Sequence, residues 1–152
     1  MGTLTRGIVT RRGGGYTAIV ERNHVGESDG VVASGTSLVE IAEVERILEG
    51  APVEAVSPFS PAELAYARER SDPARRLAAR LAAKRAAATA LGPGTEATDI
   101  AVHRDRYGPP SLRFSRRAEA RLEAMGVRRT LVSLTHERTH AAAVVLLLRE
   151  ER

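Results

Sequence analysis

The stretch from Pro73 to Leu91 constrains the fold most, because it predicts one long helix in the middle of the chain. It is rich in Ala, Arg and Leu, which are strong helix formers. Asp72-Pro73 is typical of a helix start, and Gly92-Pro93-Gly94 is typical of a helix end. Apolar residues form one stripe along this helix, at Leu77, Leu81, Ala88 and Leu91. We expect a sheet to pack against it.

Two shorter helices are predicted ahead of the long one. Apolar residues recur at three- and four-residue spacing between Gly35 and Gly50, which predicts a helix there. Ser37 is placed to cap it, with Glu40 three residues later as a capping-box partner. A proline at the first helical position and an acidic first turn predict a second helix from about Pro61 to Arg70.

The second half of the chain predicts strands and one further helix. Thr98 to His103 and Ser111 to Phe114 are strand-like, and the turn-forming residues between them indicate a hairpin. Three elements follow: a helix at about Ser115 to Met125, and strands at Arg129 to Thr135 and Ala141 to Leu148. Helices followed by a mostly antiparallel sheet predict an α+β fold.

The chain has 152 residues with 43% hydrophobic content, which suits one domain and is too short for two ordinary ones. We interpret residues 1–30 as an N-terminal extension and residues 31–152 as the domain. In the extension, β-prone runs flank Gly13-Gly14-Gly15, which predicts a hairpin turning at the glycines. A glycine run beside arginines could also cradle a phosphate, but no helix start follows it.

Composition excludes several classes of function. The chain has no cysteine, which rules out disulfides, thiolate zinc sites and thiol nucleophiles, and favours a cytoplasmic location. The longest apolar run, Ala141 to Leu148, is too short to span a membrane. The net charge of +4 favours acidic partners. With aromatic residues at only 3% and no recognised nucleic-acid-binding module, nucleic acid is not expected to be the partner.

Three stretches, in order, resemble motifs of the holo-acyl-carrier-protein synthases. Residues 35–41, Gly-Thr-Ser-Leu-Val-Glu-Ile, are similar to the strand-to-helix motif that opens this family. Residues 77–86 contain Arg-Leu-Ala-Ala-Lys-Arg-Ala, similar to the family's central-helix motif Arg-Phe-Ala-Ala-Lys-Glu-Ala. Residues 132–136, Val-Ser-Leu-Thr-His, followed by 141–145, are similar to its closing hairpin, and Tyr107-Gly108 adds a partial match. The resemblance covers most of the chain after residue 34.

This resemblance implies the phosphopantetheinyl-transferase fold, usually assembled as a trimer with sites between subunits. It also implies the family's reaction, in which phosphopantetheine is transferred from coenzyme A to a serine of an acyl carrier protein with the help of magnesium. The expected partners are therefore an acyl carrier protein and further copies of this chain.

Three positions depart from the family pattern. The family's metal-binding Asp falls on Ser37 and its metal-binding Glu falls on Arg85, and a further family lysine appears as Thr89. Magnesium needs hard oxygen ligands, usually from one or two carboxylates together with substrate oxygens. A hydroxyl and a guanidinium do not supply them. We therefore expect no metal site, and no cofactor that the chain requires.

The basic residues of the motifs are retained. Arg80, Lys84 and His136 match positions through which the family contacts coenzyme A and its phosphates. Arg85 is a candidate for a bidentate phosphate contact where the metal would sit, or else an exposed helix residue. Coenzyme A or its phosphopantetheine group is thus the expected ligand.

The hypothesis we favour is a repurposed enzyme that acts on a carrier-linked acyl chain without a metal, as an isomerase, dehydratase or cyclase of polyketide or fatty-acid-type biosynthesis. Its candidate acid and base groups are His136, Glu40 and Ser37. The last two have a structural alternative, as helix cap and capping-box partner. His103 and His140 are better explained as structural or solvated residues.

Two alternatives stay open. The chain could be an active phosphopantetheinyl transferase that recruits Glu40 or another acidic group to hold magnesium. It could also be a scaffold that binds carrier proteins, whose acidic helices suit its positive charge, without any chemistry of its own.

Overall fold

The structure, a computed structural model, describes residues 30–50 and 57–149. In chain order the elements are β1 (Val31–Glu40), α1 (Ile41–Gly50), α2 (Pro61–Arg68), α3 (Pro73–Leu91), a short 3-10 turn (Ala97–Asp99), β2 (Ile100–Arg104), β3 (Pro110–Phe114), α4 (Arg116–Ala124), β4 (Arg129–His136) and β5 (His140–Leu148). The hairpin predicted in the N-terminal extension lies outside the described residues.

All the strands in the described part of the chain pair antiparallel. One sheet has the order β1-β5-β4, and β2 and β3 form a separate hairpin. Helix α3 packs against β1, β5, β4 and β2. The predicted α+β class, with a mostly antiparallel sheet on a long central helix, is confirmed.

Helix α3 spans the predicted residues and forms the centre of the core. Most of its side chains are buried, and eight of the buried ones are alanines, so neighbouring elements can approach its backbone closely. The closest approach is at Gly35 of β1, where an added Cβ would lie 2.0 Å from the carbonyl oxygen of Ala86. Only glycine fits at this point of contact between β1 and α3.

The predicted second helix is confirmed as α2. It begins with a complete capping box, in which the Ser60 side chain accepts from the Glu63 N–H and the Glu63 carboxylate accepts from the Ser60 N–H. It ends at Arg68, two residues earlier than predicted. The hairpin of β2 and β3, the short helix α4 and the final pair of strands also lie where the sequence predicted them.

The predicted helix from Gly35 was wrong over its first residues, because β1 continues to Glu40 and the helix begins only at Ile41. Ser37 is therefore not a helix cap, and Glu40 is not its capping-box partner. The strand buries every second residue from Ala33 to Val39, whereas Leu38 is exposed. The residues on the buried face are mostly small, so hydrophobicity did not show this two-residue period. The larger apolar residues instead gave the three- and four-residue spacing of a helix.

Candidate functional site

A cavity of about 260 Å³ in the described structure has a basic lining, and we call it the arginine cavity. It is lined by Tyr66, Arg76, Ala79, Arg80, Arg104, Leu134, Thr135 and His136. Three arginines and a histidine line it, and no carboxylate does. Such a lining favours an anionic ligand.

The elements of the fold bring these groups together from distant parts of the chain. Arg76 and Arg80 lie one turn apart on α3, Arg104 ends β2, and His136 ends β4. In the sheet, His136 lies opposite Ala141 of β5, a buried residue. Because opposed residues share a face of a sheet, His136 lies on the face that packs against α3.

Arg80 is the central group of the arginine cavity. Arg80 is only 6% exposed, and its guanidinium stacks over the Tyr66 ring, 4.0 Å from the ring centroid. Burial lowers the pKa of Arg80, although an arginine stays protonated in proteins. Its Nε–H has no hydrogen-bond partner, and an unpaired buried donor is costly. The guanidinium therefore brings to the cavity a positive charge that no carboxylate of the lining balances.

The other basic groups of the cavity are less buried and partly paired. Arg76 Nε donates to Asp72 at 3.2 Å, and Arg104 Nε donates to the carbonyl of Gly108 at 3.3 Å. Both guanidiniums keep further N–H groups for a ligand. His136 is exposed at the rim.

Lys84, which was predicted to bind phosphate together with Arg80, Arg85 and His136, does not line this cavity. Its Nζ donates to Glu63 Oε2 at 2.7 Å, and both side chains are only 2% exposed. Glu63 Oε1 also accepts from the Val102 N–H at 2.9 Å, so this pair ties α2, α3 and β2 together. Lys84 lines a second cavity of about 350 Å³, beside Phe59.

Glu63 is a residue that the sequence patterns do not single out as part of a site. The helix-start pattern assigns it to the acidic first turn of α2, and that local role is correct. The pattern does not show that the same carboxylate also turns inward to meet a lysine on another helix.

Neither Ser37 nor Arg85, the two positions that the motif resemblance assigns to metal-binding carboxylates, supplies a carboxylate. Ser37 is 4% exposed, and its buried Oγ has no hydrogen-bond partner. Arg85 donates to both oxygens of Glu43 on α1, at 3.1 and 2.5 Å. Within the described residues no group of three or more His, Cys, Asp or Glu side chains could hold a metal ion. Ser37 and Arg85 therefore do not provide the carboxylates with which a magnesium site is usually built.

The three candidate acid and base groups do not converge within one chain. Ser37 lies on the face of the sheet that packs on α3, as His136 does, but the two are on strands separated by β5. At about 4.8 Å between neighbouring strands, that puts them roughly 10 Å apart or more. Glu40 follows the buried Val39 and points to the opposite face.

The remaining histidines make local contacts. His103 Nε2 lies 3.0 Å from Asp105 Oδ1 on the β2–β3 hairpin. His140 begins β5, directly after the turn in which Glu137 accepts from the hydroxyl and N–H of Thr139 and from the N–H of His140. These hydrogen bonds lower the pKa of Glu137 to about 2. The imidazole of His140 lies 2.7 Å from the Thr139 hydroxyl, so both histidines contact residues close to them in the sequence.

Comparison with known proteins identifies the family. No family model matches the chain. The holo-[acyl-carrier-protein] synthase of Anaeromyxobacter dehalogenans (strain 2CP-C) is 42% identical over 123 residues, which cover 77% of this chain and 95% of that protein. This chain belongs to the holo-[acyl-carrier-protein] synthase family.

Solved structures of the family agree with the fold. The Neisseria meningitidis synthase (AcpS) has a TM-score of 0.68 at 26% identity, covering 78% of this chain and 99% of that one. The Chronobacterium ammoniagenes ACPS–CoA complex has a TM-score of 0.65 at 26% identity, covering 78% of this chain and 97% of that one. The synthase fold inferred from the sequence motifs is thus confirmed. None of the helices described here has the length and apolar composition needed to cross a membrane.

Proposed function

We propose that this protein binds the phosphopantetheine group of coenzyme A or of an acyl carrier protein, with a phosphate in the arginine cavity. The observation that carries the proposal is the lining of this cavity, where the buried Arg80 lies together with Arg76 and Arg104 and without any carboxylate. A guanidinium binds phosphate through parallel N–H groups, which gives both charge and geometry. The solved coenzyme A complex of a relative with the same fold supports this ligand.

The partner we propose is an acyl carrier protein, the substrate named for the relatives. A net charge of +4 suits a partner with acidic helices. We further propose a trimer of this chain. The face of the three-stranded sheet that points away from α3 carries the exposed Leu38, Leu131 and Val144, and covering such a patch favours association.

The reaction we propose proceeds without magnesium, because Ser37 and Arg85 replace the carboxylates that would hold it. His136 is then the group placed to act as acid or base on an acyl chain linked to the phosphopantetheine, since it lines the arginine cavity and imidazole exchanges protons near neutral pH. Ser37 and Glu40 could contribute only by approaching His136 from another subunit.

A second candidate function is the family's own transfer of phosphopantetheine to a carrier protein. The observation that favours it is the 42% identity to a curated synthase over nearly the whole of that protein. The two functions share the ligand and the partner, and differ in whether a phosphate ester bond is formed.

The experiment that separates them is the intact mass of a panel of apo carrier proteins after incubation with this protein, coenzyme A and magnesium. We expect no gain of mass. Holo carriers loaded with acyl chains would be tested in parallel, with the His136→Ala variant as control. A gain of the phosphopantetheine mass by an apo carrier would establish the second candidate, and unchanged acyl chains would indicate a non-catalytic scaffold.

Binding is tested separately by titration calorimetry with coenzyme A. Removing one charged contact to phosphate costs roughly 1.5–3 kcal/mol, so Arg104→Ala should weaken binding at least tenfold. Arg129→Ala, which removes an exposed arginine at the start of β4, is the matched control and should leave the affinity unchanged. Equal affinity of the two variants would refute the proposed location of the phosphate.

A further inference from the structure

Arg85 of α3 and Glu43 of α1 form an ion pair that joins the two helices. Two N–H groups of the guanidinium donate to the two carboxylate oxygens, and the side chains are 37% and 30% exposed. This parallel geometry orders both side chains and is stronger than a single-contact surface pair. It is therefore more than an incidental surface contact.

The pair lies next to the point where β1 touches α3. Gly35 lies against the backbone of Ala86, which directly follows Arg85 in the chain. Ser37, two residues along β1, lies on the same face of the strand as Gly35 and is buried there without a partner. The three side chains of Ser37, Glu43 and Arg85 carry one negative and one positive charge, so their sum is zero.

We propose that the Arg85–Glu43 pair takes the place of a divalent cation in this protein. It links the β1–α1 segment to α3, as a metal ion held between these elements would, and its guanidinium excludes such an ion. A cation needs negatively charged oxygen ligands, but the Glu43 carboxylate already accepts two hydrogen bonds from Arg85. This inference goes beyond the proposed function, and its test contains neither coenzyme A nor a carrier protein.

The decisive experiment is gain of metal binding, measured by electron paramagnetic resonance titration with Mn²⁺, which prefers the same carboxylate ligands as Mg²⁺. In the double variant Ser37→Asp, Arg85→Glu, the new carboxylates join a released Glu43. We expect it to bind one Mn²⁺ at least tenfold more tightly than the wild-type protein. The matched control is Ser37→Asp, Arg116→Glu, which makes the same change of charge but alters an exposed arginine of α4 and should bind as weakly as wild type.

Two results would overturn the proposal. Wild-type protein that binds Mn²⁺ as tightly as the double variant would show that the guanidinium does not exclude the ion. A control that binds as tightly as the double variant would show that net charge, and not this position, decides the affinity.

A second measurement keeps the proposal testable if the double variant does not fold. Glu43→Gln, Arg85→Gln and the combination of both would be compared by thermal unfolding. If the pair acts as one link, the combination should lower Tm by no more than the more damaging single change. Strictly additive decreases would show that the two side chains do not act as a link and would refute the inference.

Discussion

Replacing Lys84 by Met tests whether this residue serves the fold or the ligand. The resemblance to the family implies contact with coenzyme A, whereas the structure places its Nζ 2.7 Å from Glu63 with both side chains 2% exposed. Met fills similar space but leaves the Glu63 carboxylate buried without its cation. Breaking a buried ion pair on one side costs about 3–5 kcal/mol.

For a chain of this size, each kcal/mol of lost stability lowers Tm by roughly 2–4 °C. Lys84→Met should therefore lower Tm by about 6–20 °C in a calorimetric scan. The double variant Glu63→Gln, Lys84→Met removes both charges, and the amide oxygen introduced at position 63 can still accept a hydrogen bond from the Val102 N–H. We expect it to be clearly more stable than Lys84→Met alone, because the uncompensated charge is gone.

The result that would refute this reasoning is a Lys84→Met variant with the wild-type Tm. Together with weaker binding of coenzyme A, such a result would assign Lys84 to the ligand, as the family resemblance implies. A double variant as unstable as Lys84→Met would also contradict it, since the cost would then come from lost packing and not from the buried charge.

Three further changes have expected outcomes. Gly35→Ala puts a Cβ 2.0 Å from a backbone carbonyl oxygen of α3, and it should lower the free energy of unfolding in urea by about 1–3 kcal/mol or more. In the control Gly50→Ala the new Cβ meets no atom within 4 Å, so this variant should be as stable as the wild-type protein or slightly more stable. Ser37→Ala removes a buried hydroxyl without a partner and should leave Tm unchanged or raise it; a clear loss of stability would reveal a hydrogen bond that the structure does not show. The hydrogen bond from Arg117 lowers the pKa of Asp99 to about 2. The ionised Asp99 should therefore add about 1–2 kcal/mol to the free energy of unfolding above pH 4. This stabilisation should be lost as the pH falls from about 4 to about 2. Asp99→Asn should therefore lower Tm at pH 7 and not at pH 2, and an equal loss at both pH values would count against this assignment.

Most of the fold could be predicted from local patterns. Helix α3 begins and ends at strong proline and glycine positions, and α2 begins with a capping box, so their ends are set by the residues themselves. The strands of the second half have β-branched or apolar residues between clear turns. In each of these elements the local preference and the tertiary structure agree.

Strand β1 shows where such patterns fail. Its buried face is made of small residues because it lies almost directly on the backbone of α3. Gly35 and Ser37 are not hydrophobic, so a hydrophobicity scale does not identify them as core positions. The alternation of buried and exposed residues in β1 thus results from its contact with α3. The family motif, which includes a strand at this position, identified it correctly where periodicity did not.

The candidate site also contains residues that local sequence identifies and residues that only tertiary packing brings together. Residues that act through local sequence, such as Ser60 with Glu63, can be recognised from the order of residue types alone. The grouping of Arg80 with Arg104 and His136, and the separation of Lys84 from them, depend on how α3 is rotated against its neighbours. The family resemblance assigned Arg80 and Lys84 to one phosphate site, and residues four apart do lie on one face of a helix. In the structure Lys84 instead pairs with Glu63.

Lys84 and Arg85 point in different directions from α3, so a substitution at one of them need not disturb the contacts of the other. Lys84 and Arg85 are consecutive, and consecutive helical residues point about 100° apart, so Lys84 turns inward to Glu63 while Arg85 turns towards α1. A change at position 85 therefore leaves the buried pair at 84 intact, and the fold can keep its core while the chemistry beside Ser37 alters. A carboxylate at position 85 would face Glu43 and need a cation between them. With arginine there, Glu43 supplies the counter-charge, and the two side chains balance each other without a cation.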